Sequence, residues 1–482
     1  MRMQKYKYIR FSIVILFVLL NTIAIAKEWF IFSYISLAFV VLYLLIYRVD
    51  ILAYGMALVT PLSITIADEK LNLGLSLPSE LIMISLTLLF FFRILYDLKL
   101  NREFIKHPVS IAIYIYLSWL LITAITSEIP LVSFKFLASK IWFIVSSYFV
   151  LLQIMKTDIK KWIIFFNCYA FSLAIVVLIT TYKSMAVGFG EHELHWIMKP
   201  FYNDHTAYGA ITAFFAFIYL GMIFLPNIKG WQRLLYISFA TIFLVGLLFS
   251  YSRAAWISFV AAAGVWLVLK LRIKLSWLIV GIALVVGSFY YFADDILYKM
   301  SRNSQDSSGN LSEHIASITN ISTDASNVER LNRWVAAFSM IEERPMMGWG
   351  PGTYQFLYAP YQKSTYKTII TTNFGDGGNA HSEFIGPCVE TGLIGLLTVI
   401  ALLILIIYYG ISTYVKSAQP EIKILSLSLL LALISYYTHG ILNNFLDTDK
   451  LALPFWAAFA CIVALNVLEK SKKEEFSAHS IK

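Results

Sequence analysis

Gly375-Asp376-Gly377-Gly378-Asn379-Ala380-His381-Ser382-Glu383 runs directly into Phe384-Ile385-Gly386-Pro387-Cys388-Val389-Glu390-Thr391-Gly392. The stretch begins as a glycine-rich loop and continues into an apolar run long enough to be a membrane helix. Asn379 is placed to cap that helix, because its short side chain can accept a backbone N–H left unpaired in the first turn. His381 then falls within the first turn, where unpaired N–H groups and the helix dipole make the potential positive. That field disfavours an imidazolium and favours neutral imidazole, the form a general base needs. A lone histidine there is better explained by a bond to a lipid headgroup or a loop carbonyl. Its surroundings decide otherwise.

The surroundings are membrane. Of 482 residues, 59% are hydrophobic and only 14% charged, with a mean hydropathy of +0.72. A soluble domain of this size would have too little polar surface to cover itself. The three cysteines, Cys168, Cys388 and Cys461, all lie in apolar runs, which argues against a disulfide framework and a cysteine zinc site. The basic start, Met1-Arg2-Met3-Gln4-Lys5, leads into an apolar run without a small-residue cleavage site. It reads as the approach to a first membrane helix.

A span needs roughly 20 mostly apolar residues. About fourteen candidates follow, near 11–26, 29–47, 51–67, 79–96, 109–126, 136–155, 162–182, 207–225, 233–251, 254–270, 275–293, 384–410, 422–442 and 451–468; twelve is the nearest alternative count. The least typical are 51–67 and 136–155, the latter carrying Lys140 with Lys135 just before it. With a cytoplasmic N-terminus, alternate loops should be basic. They are: Arg93 to Lys106, Lys156 to Lys161, Lys229 to Arg233, Lys270 to Lys274, Lys416 to Lys423, and the tail from 469 with Lys470, Lys472 and Lys473. The expected organisation is therefore 1–293 as eleven spans, 294–383 as an extracytoplasmic lid, 384–468 as three spans, and 469–482 as a cytoplasmic tail.

Within the lid, Ser301 to Ser326 is rich in Ser, Asn and Asp and reads as a mobile insert. Ser326 and Glu329 have the spacing of a capping box, so a helix is expected to about Glu343. Val328, Leu331, Val335 and Phe338 would form its apolar stripe, with Arg330, Trp334 and Ala337 on a neighbouring face. Pro345 stops the helix, and Gly348-Trp349-Gly350-Pro351-Gly352 makes a tight turn.

The same topology puts Arg253, Arg330 and Arg333 on the outer side with His381. Arg253 stands where one span turns into the next, a costly place unless it faces a polar cavity or partner. Singly, Arg253 reads as snorkelling to headgroups and Arg330 as a solvated surface residue. Together with His381, they suggest a site for a phosphorylated lipid, since guanidinium forks match phosphate oxygens. Arg333 is close enough to exchange roles with Arg330.

Ser252-Arg253 after an apolar span, Arg330 four before Trp334, Arg344-Pro345-Met346-Met347 leading into the glycine-rich turn, and His381 with Glu390-x-Gly392 occur in that order. Together, over about 200–410, they resemble the O-antigen ligase and O-antigen polymerase family of bacterial membrane glycosyltransferases. The family commonly has Asn after the histidine, where this chain has Ser382. The resemblance implies an all-α polytopic fold of 12–14 spans with a lipid-donor glycosyltransferase (GT-C-like) architecture. It also implies a glycan donor on undecaprenyl pyrophosphate, Arg253 and Arg330 at the pyrophosphate, and His381 near the acceptor hydroxyl, which in a ligase belongs to lipid A-core. The setting would be the outer face of the bacterial inner membrane.

The chemistry fits these residues without a cofactor. Breaking a sugar–pyrophosphate bond releases negative charge, which two arginines can stabilise without a metal. The acceptor hydroxyl loses a proton as it attacks C1, which suits a neutral His381, and direct attack inverts the anomeric carbon. Glu390 lies about half a turn out of phase with His381 on an ideal helix, so its expected role is supporting, through pairing with an arginine. His205, in Asn203-Asp204-His205-Thr206, is a second-tier site residue, and Lys135 and Lys140 are candidates for the donor's phosphate path. His439 reads as structural. Asp447-Thr448-Asp449 has the form of a metal-holding tripeptide, but on the outer face it reads as a loop flanking a span. No P-loop, dinucleotide fingerprint, zinc pattern or nucleic-acid motif stands out. Two alternatives remain open: polymerisation of lipid-linked repeat units, and a lipid-linked oligosaccharide transporter or flippase.

Overall fold

The computed structural model describes residues 41–68, 73–96, 100–188, 196–274, 325–363 and 377–480, together with Thr22, Ile23, Lys27 and Gly287. The spans expected near 11–26 and 275–293, most of that near 29–47, and nearly all of the Ser301–Ser326 insert lie outside these residues. The chain divides into two compact units, Met1–Met56 and Ala57–Lys482, and everything below from Ala57 onward concerns the second.

The protein is an all-α polytopic membrane protein. Ten described helices are long and apolar enough to cross a membrane: α2 (Ser79–Tyr96), α3 (Pro108–Ile125), α4 (Pro130–Met155), α5 (Ile159–Ala186), α6 (His205–Met222), α7 (Gly230–Leu248), α8 (Arg253–Lys270), α10 (Ile385–Lys416), α11 (Pro420–His439) and α12, spanning over Asp449–Glu474. All ten fall on expected runs. The lid helix α9 covers Ala325–Glu343.

The run near 51–67 is not a span. It is an 11-residue helix, α1 (Val49–Val59), then a 3₁₀ turn at Thr60–Leu62, then a strand. At 1.5 Å per residue, 11 residues fall well short of a hydrocarbon core about 30 Å thick. β1 (Ile64–Asp68) pairs antiparallel with β2 (Leu73–Leu77), in a register from Ile64 opposite Leu77 to Asp68 opposite Leu73. The alternation Ile64-Thr65-Ile66 suits a strand; read as a continuous apolar run, it looks like the end of a helix.

Local signals explain the helix starts. Pro108, Pro130 and Pro420 each occupy the first turn of their helices, where the missing N–H costs nothing. Asp158 caps α5, Asp204 caps α6 and Ser252 caps α8. α11 packs against α6, α8, α10 and α12. The spanning part of α12 is almost wholly buried, as expected for a helix apolar all round.

Hydrogen bonds link span ends at both ends of the bundle. At one end Glu128 N–H donates to the Trp349 carbonyl, Glu383 N–H to that of Gly440, and Ser63 Oγ to Asp449. At the other, Lys473 donates to the Lys416 carbonyl and Lys472 to Gln419.

Candidate functional site

His381 lies in a loop, not in a helical first turn. α10 begins only at Ile385, and the Ser382 hydroxyl accepts the Phe384 and Ile385 N–H groups at 3.2 and 3.3 Å. Asn379 instead turns the loop, its side-chain oxygen accepting His381 N–H at 3.1 Å. His381 itself has φ of 46°, a left-handed conformation that costs a residue with a Cβ. The lid helix holds the loop in this shape: Trp334 Nε1 donates to the Ala380 carbonyl and Arg333 Nη1 to that of Asn379, both at 3.1 Å.

Arg333 is the residue that meets the histidine. Its Nη1 lies 3.1 Å from His381 Nε2, and its Nε donates to Glu329 Oε1 at 2.9 Å. A guanidinium can only donate, so Nε2 accepts and the neutral ring carries its hydrogen on Nδ1. Among the described groups, Nη2 has no hydrogen-bond acceptor. A Cβ at Gly378 would collide with the guanidinium, which helps explain the glycine-rich entry to the loop. His381 is pushed down to about 3 by burial first, then by the charges of Arg333 and Arg330, against Asp204. Burial and two arginines, rather than a helix dipole, favour the neutral imidazole.

The lid helix buries a different face from the one expected. Glu329, Asn332, Arg333, Ala336, Ala337 and Met340 are buried, while Leu331 and Val335 are half-buried and Phe338 is 53% exposed. Small residues face inward where this face approaches the loop, and Arg333 and Trp334 satisfy its carbonyls. Glu329 serves Arg333; the side chain of Ser326, its expected capping partner, lies outside the described residues.

The glycine-rich turn and Glu390-x-Gly392 form one structural unit. Trp349 N–H donates to the Val389 carbonyl at 3.1 Å, Gly350 N–H to that of Glu390 at 2.8 Å, and Leu393 N–H to that of Pro345 at 2.8 Å. α10 is kinked at Gly392, whose φ is 71°. A Cβ there would strike the Met346 carbonyl, and one at Gly348 the backbone of Glu390. Among the described residues, Glu390 pairs with no arginine. Its carboxylate accepts Tyr354 N–H at 3.3 Å, so it fastens the turn to α10.

Below the loop is a cavity of about 320 Å³ lined by Lys140, Glu383, Glu390, Asp447, Tyr437 and Trp456 among others. Lys140 is buried in α4, with Nζ 2.7 Å from Asp447 Oδ1 and donating to the Leu446 carbonyl at 3.0 Å. Glu383, to which no role was attached from sequence, is central. Its Oε1 accepts from Tyr436 Oη at 2.6 Å and from the Phe445 and Leu446 N–H groups at 2.9 and 3.0 Å. Burial pushes its pKa up, against Lys140 and these donors. An acid at the mouth of an apolar run was the available signal, since such a residue must be partnered. The Asp447-Thr448-Asp449 tripeptide is divided: Asp447 takes Lys140, while Asp449 opens α12 and takes the Ser63 and Ser79 hydroxyls.

The remaining candidates surround the same end. Arg330 is half-buried on α9, and its charge reaches both His381 and His439. His205 opens α6 with Nδ1 3.0 Å from Asp204 Oδ1. Burial would raise Asp204, but hydrogen bonds from His205 and Thr206 hold it well below the usual carboxylate range. His439 lies 3.2 Å from Asn443 Nδ2 at the end of α11. Arg253 is half-buried at the start of α8, which packs on α11. Lys135 lies half-buried on α4, toward its first turns.

A family match covers part of this chain. Residues 237–400 match the O-antigen ligase family. The O-antigen ligase match takes in Arg253, Arg330, Arg333, His381 and Glu390, and supports an assignment to the ligase/polymerase family. The match supports a glycosyltransferase-like function in polysaccharide biosynthesis and fits the multi-pass membrane fold. No curated protein matches the chain.

Proposed function

We propose that the protein transfers a glycan from undecaprenyl pyrophosphate to a sugar hydroxyl of lipid A-core, as an inverting O-antigen ligase acting on the outer face of the inner membrane. The observation that carries this reading is a neutral His381 held by Arg333 with Arg330 nearby. The acceptor oxygen attacks C1, the bond from C1 to the pyrophosphate oxygen breaks, and the acceptor proton passes to His381 Nε2. Undecaprenyl pyrophosphate leaves with the bonding pair.

In this arrangement, Arg333 occupies the lone pair that must receive the proton. Pyrophosphate oxygens draw the guanidinium toward themselves through Nη2 and release Nε2. Their negative charge also offsets the two arginines that depress the imidazole, so the base strengthens only when donor is bound. Arg253 and Arg330 share the phosphate charge, which assigns to side chains the neutralisation a metal would otherwise provide. The carboxylates, amide and aromatic walls of the cavity beneath the loop suit a sugar ring.

Purified protein supplied with lipid-linked donor and lipid A-core tests the reading: glycan should appear on lipid A-core without an energy source. Product confined to lengthened lipid-linked glycan would indicate a polymerase instead. No transfer to either acceptor would remove the enzyme assignment.

A further inference from the structure

A second cavity, of about 360 Å³, lies at the opposite end of the bundle from His381, between the last turns of α10 and the α12 segment that carries the basic tail. Lys416, Lys470 and Lys473 line it, with Tyr408, Thr413 and Asn466 on its walls. Glu469 is the acid in the lining and lies 3.3 Å from Lys473. Three ammonium groups against one carboxylate leave an excess of two positive charges.

The polar wall is ordered by a directed chain of hydrogen bonds. His107 Nδ1 accepts Val109 N–H at 3.3 Å, and Nε2 faces Asn466 Oδ1 at 3.4 Å. Asn466 Nδ2 then donates to Thr413 Oγ1 at 2.9 Å. Burial and the Lys470 charge bring His107 down to about 4, so the ring is neutral and each link has one sense. Thr413 accepts at the end of this chain, and its own hydroxyl hydrogen has no acceptor among the described groups. The cavity thus combines excess positive charge with a free donor on a fixed wall. Tyr408 is 57% exposed beside it, as expected of an aromatic at headgroup depth.

We propose that this cavity binds a phosphate-bearing anion, either a lipid headgroup or free phosphate. A basic pocket between helices at a membrane surface favours anionic headgroups at roughly fivefold or more per lysine. The site is separate from the His381 chemistry and stands whether or not the transfer reading holds.

The test uses the full chain in detergent. Native mass spectrometry measures retention of phosphatidylglycerol against phosphatidylcholine with the same tails, and equilibrium dialysis measures inorganic phosphate. A Lys470→Gln/Lys473→Gln variant is compared with Lys160→Gln/Lys161→Gln, which removes two lysines from the first turn of α5 at the same end. Selective phosphatidylglycerol retention that falls tenfold or more in the first variant alone identifies a headgroup site. Loss of inorganic phosphate binding in that variant alone identifies a free-phosphate site. Equal behaviour of the two variants toward both probes, or no binding of either by the wild type, overturns the proposal.

Discussion

Arg333 holds His381 by its ring, with Nη1 3.1 Å from Nε2. Because the guanidinium has no acceptor, this contact fixes the tautomer and occupies the lone pair in one stroke. Charge arriving on the arginine and basicity of the histidine are therefore linked.

That linkage is measurable. His381 is lowered to about 3, by burial and then by Arg333 and Arg330. A depressed imidazole stays neutral as pH falls through the ordinary value near 6.5, so it should not titrate between about pH 5 and 8. Added undecaprenyl pyrophosphate offsets the arginines and should move protonation upward toward that window. Imidazole ¹⁵N chemical shifts in detergent read this directly. The same titration with and without the lipid would separate the arginines from the pyrophosphate.

Arg333→Lys should rescue poorly. An ammonium cannot serve Glu329, the Asn379 carbonyl and His381 with fixed planar donors, so turnover should fall roughly 10²-fold or more. Arg253→Ala and Arg330→Ala should instead weaken donor binding and turnover together, because ground-state pyrophosphate is already charged. Donor affinity and transfer rate for each folded variant check both expectations; unchanged affinity in the latter two would overturn their phosphate role.

Gly392→Ala tests the coupling of the glycine-rich turn to α10. The residue combines φ of 71° with a Cβ aimed at the Met346 carbonyl, so roughly 2 kcal/mol or more of destabilisation is expected. Gly264→Ala, where a Cβ meets nothing within 4 Å, should be neutral or stabilising. Melting temperatures in detergent distinguish them. Equal melting would dissolve the argument that this kink is held by the turn.

The spans were legible because length and hydropathy suffice for a helix that must satisfy its backbone in lipid. The ten described spans fall where such runs stand. The geometry of the candidate site was not legible. His381 owes its conformation and neutral form to Arg333, 48 positions earlier, and to Ser382 taking the cap expected of Asn379. Ile64 and Ile66 extended an apparent helix because hydropathy does not distinguish a short strand pair from the end of a span. Glu383 passed without a role because its partners, Tyr436, Phe445 and Leu446, lie more than 50 residues away.

Lys140→Met should destabilise the fold. Removing the ammonium leaves Asp447 and the neighbouring Glu383 without their cation; for a fully buried pair the cost is about 3–5 kcal/mol. Asp447 is 43% exposed, so about 2 kcal/mol is expected, with part recovered in Lys140→Met/Asp447→Asn. Thermal unfolding of the two variants provides the measurement. An unchanged melting temperature for Lys140→Met would mean that the pair carries no stability.

The central claim is that His381 removes the acceptor proton, and His381→Ala tests it most directly when lipid-linked donor binding and glycan transfer are measured on the same purified, folded protein. The predicted result is donor affinity close to wild type with transfer reduced roughly 10²–10⁴-fold, the usual contribution of a positioned base. Near-normal transfer by His381→Ala would contradict the account.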